Sequence, residues 1–223
     1  MIKALIFDFD GVIANTEPLH ARAVASVFKR MNLPVTHQDI QNAIGTPDPG
    51  FFKNMLVKYN GSVSDEIVHN MLIQKRKIYM DIAASRVKPL PGIVKLLEST
   101  ASYPKAIATT CSQETVRPLL KKMGILPHFR IIIGYYDVEN CKPHPEPYLK
   151  AAQGLGIPPH RCMVFEDSPT GALSALGAGC RVTGVLTNFG REHLKKCHFI
   201  IDNFKSTEKV IDLFLKCGAL EKC

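Results

Sequence analysis

The spacing of hydrophobic residues changes twice along the chain. Residues 4–7 are four apolar residues in succession followed by a polar turn, a pattern typical of a short strand buried on both faces. From residue 15 to residue 88 apolar residues recur every three or four positions, which predicts helices and no strand. After residue 88 short apolar runs alternate with amphipathic segments, and this alternation predicts a parallel sheet with helices on both faces.

The predicted fold is therefore α/β, with a doubly wound, mainly parallel sheet and an all-helical insertion after the first strand. The prolines and glycine of 88–92 mark the return from the insertion to the sheet. We expect a core of residues 1–14 and 89–223 and a helical domain of residues 15–88. Later strands are predicted at 106–110, 129–133, 162–165, 182–186 and 199–201. Helices are predicted at about 16–32, 51–59, 64–82, 93–99, 113–123, 145–155, 169–176 and 207–214.

The helical insertion contains one lysine in an unusual position. Its first helix can be capped by Asn15 or Thr16, and its longest helix is expected to open at Ser64. Lys75 falls within the apolar stripe of that longest helix. A lysine on an apolar face either extends past the edge of that face to water or points into a cleft, and both interpretations stay open.

Composition indicates an ordinary soluble protein. The chain has 223 residues, of which 46% are hydrophobic and 22% are charged. Its apolar runs are much shorter than the roughly 18 residues that a membrane span requires, and the N-terminus lacks the pattern of a signal peptide. We therefore expect a cytoplasmic monomer that contacts no membrane.

Charge and cysteine content narrow the choice of partners. The formal net charge is +8, but the basic residues are scattered, so nucleic acid is not an expected partner, whereas an anionic phosphate ester is. The seven cysteines form no Cys-x-x-Cys pair, and reduced thiols are expected rather than disulfides or a zinc site.

Two carboxylates follow the first predicted strand. Asp8 and Asp10 are one residue apart, and ligands of open α/β sheets bind at the carboxyl ends of the strands. Since alternate residues of a strand point the same way, the two charges would crowd together and would favour a cation such as Mg²⁺. A plain polar turn is the simpler interpretation of this pair alone. An EF-hand loop is excluded because Gly11 comes too early.

Polar residues also follow three later strands. Thr109-Thr110-Cys111-Ser112 opens a helix, where hydroxyl and free N–H groups suit a phosphate. Lys142-Pro143 follows the next strand, and Glu166-Asp167 follows the one after. Taken singly, these could be a helix cap, a surface lysine and a polar turn. Their common position at one edge of one sheet favours a shared site.

The order of these motifs resembles the four motifs of the haloacid dehalogenase superfamily. The resemblance rests on Asp8-Phe9-Asp10-Gly11-Val12, the hydrophobic strand ending in Thr110, Lys142-Pro143 and Phe165-Glu166-Asp167-Ser168. The helical insertion, with Asn15-Thr16-Glu17 and His20 at its entrance, resembles the β-phosphoglucomutase-like branch with a small helical cap. The resemblance implies a Rossmann-like catalytic core that the cap closes over.

The resemblance also implies roles for individual residues. Asp8 is expected to be the nucleophile that attacks phosphorus, and Asp10 the general acid and base. Mg²⁺ is expected on Asp8, the Asp10 carbonyl and Asp167, with Glu166 nearby or acting through water. Thr110 and Lys142 are expected to bind the transferring phosphoryl group. The full set of expected substrate-binding residues comprises Thr16, His20, Lys75, Thr110, Cys111 and Lys142.

Two activities within this family remain open. An acid at position 10 argues for phosphoryl transfer and against dehalogenation. In mutases of this branch a cap arginine grips a second phosphate, whereas the corresponding loop reads Gly45-Thr46-Pro47-Asp48 here. A phosphatase for small sugar or polyol phosphates is therefore preferred, and a β-phosphoglucomutase-type mutase is the alternative.

Two further interpretations complete the prediction. Phe51, Phe52 and Lys75 of the cap are expected to select the alcohol part of the substrate.

Receiver domains of signalling proteins also combine acidic residues, a threonine and a lysine around Mg²⁺. They are about half this length and have no helical insertion after the first strand, so this class is set aside.

Overall fold

The chain folds into two compact units. The computed structural model describes residues 1–41, 48–60 and 63–219. One unit comprises Met1–Asn15 with Lys88–Cys223, and the other comprises Thr16–Val87. We refer to them as the sheet unit and the helical unit. In the described residues no helix is long and apolar enough to cross a membrane.

The sheet unit contains six parallel strands in the order β3-β2-β1-β4-β5-β6. This architecture confirms the predicted α/β class. The first strand in the sequence lies in the interior of the sheet, where Phe7 pairs with Ile107 on one side and with Phe165 on the other. The strands are β1 (Ala4–Phe7), β2 (Lys105–Ala108), β3 (Ile131–Ile133), β4 (Cys162–Glu166), β5 (Arg181–Val185) and β6 (Phe199–Ile201).

Both faces of the central strands are buried, which explains the uninterrupted apolar run of β1. Ile6 belongs to a cluster that also contains Val164, Tyr148 and Ala175. Its neighbour Phe7 points to the opposite face, where its ring stacks on Phe165 with 5.0 Å between the ring centroids. Because residues on both faces of β1 are buried, an apolar side chain is favoured at every position. The strand therefore shows no alternation of apolar and polar residues.

Four helices form the helical unit among its described residues, and no strand is found there. They are α1 (Glu17–Arg30), α2 (His37–Gln41), α3 (Asp48–Asn60) and α4 (Asp65–Arg86). Ser64 caps α4 as the sequence predicts, because its hydroxyl oxygen accepts a hydrogen bond from the Ile67 N–H. Thr16 occupies the N-cap position of α1, but its side chain makes no capping hydrogen bond.

The prediction that Phe51 and Phe52 select the substrate is wrong. Both side chains are buried in the core of the helical unit, where they pack against Phe28 with ring centroids 5.9 and 5.2 Å away. The helical spacing of apolar residues correctly indicated that this face of α3 is apolar. The face packs into the interior of the helical unit itself. The predicted loop residues Gly45, Thr46 and Pro47 lie outside the described residues.

The helices of the sheet unit follow the strands in alternation. Two boundaries differ from the prediction: β2 ends at Ala108, and β3 begins at Ile131 because a 3-10 turn over Leu126–His128 precedes it. The helices are α5 (Ile93–Ser99), α6 (Gln113–Lys122), α7 (Glu146–Leu155), α8 (Pro169–Gly177) and α9 (Thr207–Ala219).

Candidate active site

The turn after β1 places Asp8 at the carboxyl edge of the sheet. The Asp8 N–H donates to the Phe165 carbonyl at 3.0 Å, so Asp8 extends the pairing of β1 with β4. Gly11 follows with a φ of 74°, a conformation that favours glycine. A Cβ atom on Gly11 would also collide with the Asp167 carboxylate. The glycine of this motif therefore allows the first turn to approach the carboxylate that follows β4.

Lys142 lies between two buried carboxylates. Its Nζ atom donates to Asp8 Oδ1 at 2.9 Å and to Glu166 Oε1 at 2.6 Å. The Lys142 side chain is only 4% exposed, and that of Glu166 is fully buried. Burial alone would lower the pKa of Lys142, but the charges of Asp8 and Glu166 reverse this effect and raise the pKa above its usual range. The lysine is therefore held as a cation beside the proposed nucleophile.

Glu166 is held by four hydrogen bonds. Its Oε1 atom accepts from Lys142 and from the Tyr148 hydroxyl, the latter at 2.7 Å. Its Oε2 atom accepts from the N–H and the hydroxyl of Ser168, both at 3.0 Å. Gly171 leaves room for this carboxylate, since a Cβ atom there would overlap Glu166 Oε1. These contacts orient Glu166 toward Lys142, so its main structural role is to anchor the lysine.

The third buried carboxylate has its own fixed orientation. Asp167 is 3% exposed, and its Oδ2 atom accepts a hydrogen bond from Asn188 Nδ2 at 2.7 Å. Asp8, Glu166 and Asp167 each offer a carboxylate oxygen within 4.8 Å of the others. Hard divalent cations such as Mg²⁺ take oxygen ligands of this kind.

The charge of this cluster is consistent with a bound divalent cation. Counted as ionised, the three carboxylates and the Lys142 ammonium together carry a net charge of −2. Burial raises the pKa of Asp8 to about 8, and the charges of Glu166 and Asp10 act in the same direction, against the lowering effect of Lys142. A divalent cation at the cluster would supply the missing charge and stabilise ionised Asp8. The donor set therefore fits Mg²⁺.

Asp10 and the residues after β2 form the other side of the site. The Cys111 thiol donates to Asp10 Oδ2 with an Sγ–Oδ2 distance of 3.3 Å. Thr110 is exposed and lies two residues beyond the end of β2. Ser112 occupies the N-cap position of helix α6, although its side chain makes no capping hydrogen bond, so Thr110 is not the helix cap that one interpretation of the sequence allowed.

Two candidate residues of the helical unit, Lys75 and His20, contact each other. Lys75 Nζ donates to Asp48 Oδ2 at 2.7 Å and lies 2.8 Å from His20 Nδ1. The His20 ring stacks on Tyr79 with centroids 4.0 Å apart. Thr16 is fully buried at the start of α1. Lys75 therefore has polar partners within its own unit and does not extend to water along an apolar face.

Three residues of the site were not predicted. Ser168 and Asn188 carried a usable signal, since Ser168 directly precedes Pro169 at a helix start and Asn188 follows β5 at the carboxyl edge of the sheet. Tyr148 carried none, because a buried tyrosine in the apolar face of a helix cannot be distinguished by spacing from a core residue.

Known proteins share the sequence pattern and the fold of this chain. A family model described as haloacid dehalogenase-like hydrolase matches residues 5–185. The protein CbbY of Rhodobacter capsulatus is 34% identical over 193 residues, covering 81% of this chain and 84% of that protein. Glycerol-1-phosphate phosphohydrolase 2 of Saccharomyces cerevisiae is 29% identical over 218 residues, covering 92% and 84%.

A solved structure shares the fold over its whole length. The crystal structure of β-phosphoglucomutase from Clostridium difficile superimposes with a TM-score of 0.83 and 25% identity, covering 97% of this chain and 98% of that one. The family match includes β1 with Asp8 and Asp10 and extends to the end of β5. The chain therefore belongs to the haloacid dehalogenase-like hydrolases, in their β-phosphoglucomutase-like branch.

Proposed function

We propose that this protein is a Mg²⁺-dependent phosphatase that hydrolyses small sugar or polyol phosphates through an aspartyl phosphate on Asp8. The observation that carries this proposal is the position of Lys142, buried between Asp8 and Glu166 and donating to both. A cation fixed beside a carboxylate nucleophile suits an anionic substrate, whose phosphoryl oxygens it can stabilise.

The first step transfers the phosphoryl group to Asp8. One Asp8 oxygen forms a bond to phosphorus while the bond from phosphorus to the ester oxygen breaks. Asp10 gives its proton to that leaving oxygen, so the alcohol departs uncharged. Lys142 holds a positive charge next to the phosphoryl oxygens throughout this step.

The second step returns the enzyme to its starting state. Asp10, now ionised, accepts a proton from a water molecule whose oxygen attacks phosphorus. The bond between phosphorus and Asp8 breaks, inorganic phosphate leaves, and both carboxyl groups regain their initial protonation. Bound Mg²⁺ supplies a positive charge that lets an anionic nucleophile approach an anionic phosphate. We propose Asp8, Asp167 and the Asp10 carbonyl as its ligands, with Glu166 acting mainly through Lys142.

The choice of phosphatase rests on the helical unit and on the relatives. The stretch 42–50 contains no arginine that could hold a second phosphate. Asp48 adds a negative charge to this stretch, and its pairing with Lys75 at 2.7 Å reduces the repulsion that a second phosphate would meet there. The relative that acts on glycerol 1-phosphate supports a small polyol or sugar phosphate as substrate.

A sugar phosphate mutase is the second candidate. It is favoured by the similarity of the whole chain to β-phosphoglucomutase and by Lys75, a buried cation in the helical unit. In a mutase the phosphoryl group on Asp8 passes to a sugar hydroxyl in place of water. We propose that the helical unit acts as a cap and that Thr16, His20 and Lys75 contact the substrate.

The test is phosphate release from a panel of sugar, polyol, nucleotide and phosphoglycolate esters, with and without Mg²⁺. Isomerisation of β-glucose 1-phosphate is followed in parallel. Mg²⁺-dependent release from a few sugar or polyol esters is expected. Isomerisation without net release would replace the phosphatase by the mutase, and inactivity on every ester would contradict both.

A second experiment tests the role of Lys75. Lys75→Ala is expected to change the relative kcat/KM values across the ester panel, because the side chain that contacts the alcohol part is lost. Lys53→Ala is the matched control, since Lys53 pairs with Asp65 on the exposed surface of the same unit. An unchanged order of substrates in Lys75→Ala would remove Lys75 from substrate selection.

A further inference from the structure

The backbone of Cys111 is fixed on both sides. Its N–H donates to Thr109 Oγ1 at 3.0 Å, and its carbonyl accepts from the Tyr135 N–H at 2.9 Å. Gly134 packs closely against it, since a Cβ atom on Gly134 would lie 2.7 Å from the Cys111 carbonyl oxygen. Contacts with Thr109, Tyr135 and Gly134 therefore fix the backbone position from which the Cys111 side chain extends.

The turn that carries Asp10 is also closed by hydrogen bonds. The Gly11 N–H donates to the Ala14 carbonyl at 2.8 Å, and the Ile13 N–H donates to the Phe9 carbonyl at 2.9 Å. Because both backbones are constrained, the 3.3 Å contact between Cys111 Sγ and Asp10 Oδ2 joins two fixed points. The thiol can then restrict rotation of the Asp10 carboxyl group.

We propose that Cys111 is a positioning residue that orients Asp10 for proton transfer to the leaving alcohol. This inference rests on the proposed function, in which Asp10 is the general acid. It assigns Cys111 a different task from the phosphate contact expected from its place beside Thr110. The thiol donates to Oδ2 of the Asp10 carboxyl group and holds this group in the orientation from which the proton on Oδ1 reaches the ester oxygen.

The proposal predicts a dependence on the leaving group. An alkyl phosphate releases a poor leaving group that needs its proton, whereas p-nitrophenyl phosphate releases a stable phenolate that needs little help. Loss of an orienting hydrogen bond to Asp10 therefore affects the alkyl ester more. A purely structural defect lowers the rates for both esters alike.

The experiment compares kcat/KM for glycerol phosphate and p-nitrophenyl phosphate in Cys111→Ala, Cys111→Ser and the wild type. In Cys111→Ala we expect about a tenfold loss with the alkyl ester and less than about threefold with the aryl ester. Cys111→Ser keeps a donor and is expected to retain the alkyl activity within about threefold. Cys162→Ala is the control, because Cys162 is the first residue of β4 and lies at the amino edge of the sheet, opposite the carboxyl edge that holds the proposed machinery.

Two results would overturn the proposal. One is an equal loss, or no loss, for the two esters in Cys111→Ala. The other comes from infrared spectroscopy of the thiol, whose S–H stretch is expected to shift to higher frequency in Asp10→Ala as the acceptor is lost. An unshifted band would disprove the hydrogen bond even if the wild type released no phosphate. Absence of phosphate release by the wild type would instead reject the proposed function.

Discussion

The two ends of the sheet each bury a lysine, and the two lysines have different partners. Lys105 is the first residue of β2 and lies at the amino edge, where its Nζ atom donates to the backbone carbonyls of Thr100 and Tyr103. Lys142 lies at the carboxyl edge, where it donates to the carboxylates of Asp8 and Glu166. Both residues are less than a tenth exposed.

The partners move the two lysine pKa values in opposite directions. Burial lowers the pKa of Lys105 to about 8, with a smaller contribution from Arg130, because neutral carbonyls compensate poorly for lost hydration. Two carboxylates raise the pKa of Lys142 in spite of similar burial. The charge around each buried lysine, and not its burial alone, therefore distinguishes the carboxyl edge of this sheet, where the candidate site lies, from the amino edge.

The largest expected effect is the loss of the nucleophile at the carboxyl edge. Asp8→Asn should lower phosphate release by at least about 10³-fold, because the amide cannot form the aspartyl phosphate. The fold should persist, as judged by circular dichroism. Asp202→Asn is the control, since that exposed carboxylate lies at the end of β6. Turnover near the wild-type level would remove Asp8 from its role.

The second prediction exchanges the two lysines for methionine. Lys142→Met should reduce kcat by about 10² to 10³-fold, since a charge that stabilises the phosphoryl oxygens is lost. Lys105→Met removes a lysine of similar burial at the opposite edge and should leave kcat within about threefold. Equal losses in the two variants would abolish the distinction between the edges.

The third prediction concerns stability at the amino edge. With a pKa near 8 in the folded state and about 10.5 when unfolded, Lys105 binds fewer protons in the folded state between these pH values. The unfolding free energy of the wild type, relative to Lys105→Met, should therefore rise by roughly 1 to 3 kcal/mol from pH 7 to pH 10. Urea denaturation of both proteins at the two pH values measures it. A constant difference would show that burial does not perturb Lys105.

The smallest expected effect comes from removing a hydrogen bond that orients Glu166, the carboxylate that binds Lys142. Tyr148→Phe removes one of the four donors to Glu166 and should lower kcat about two- to tenfold and the unfolding free energy by about 1 to 3 kcal/mol. Tyr136→Phe is the matched control, because Tyr136 is 78% exposed. If the two variants behave alike, the Tyr148 hydroxyl does not help to orient Glu166.

The sequence predicts the sheet well because buried strands leave a clear apolar pattern. The run at 4–7 gave the bounds of β1, and the position of carboxylates after apolar runs correctly placed Asp8 and Asp167 at one edge of the sheet. Predicted boundaries differ from the structure where a turn follows or precedes a strand. The hydroxyl-rich end of β2, for example, was predicted to extend to Thr110 but stops at Ala108.

Partners between distant residues could not be predicted from spacing. The apolar period of the helical unit showed that Phe51 and Phe52 lie on a buried face, but it did not show whether that face meets substrate or the unit's own core. Similarly, the motif Glu166-Asp167 gives no sign that Tyr148 donates to Glu166. These relations depend on how elements pack, which the pattern of a single element does not contain.

The interior position of β1 has a consequence for biosynthesis. This strand leaves the ribosome before all the others, yet one of its two hydrogen-bonding edges is filled by β4, which begins at Cys162. At ordinary rates of translation the edge waits on the order of 10 s for its partner. An apolar strand with an unpaired edge is prone to intermolecular pairing. Newborn chains should therefore depend on chaperones until β4 has been synthesised.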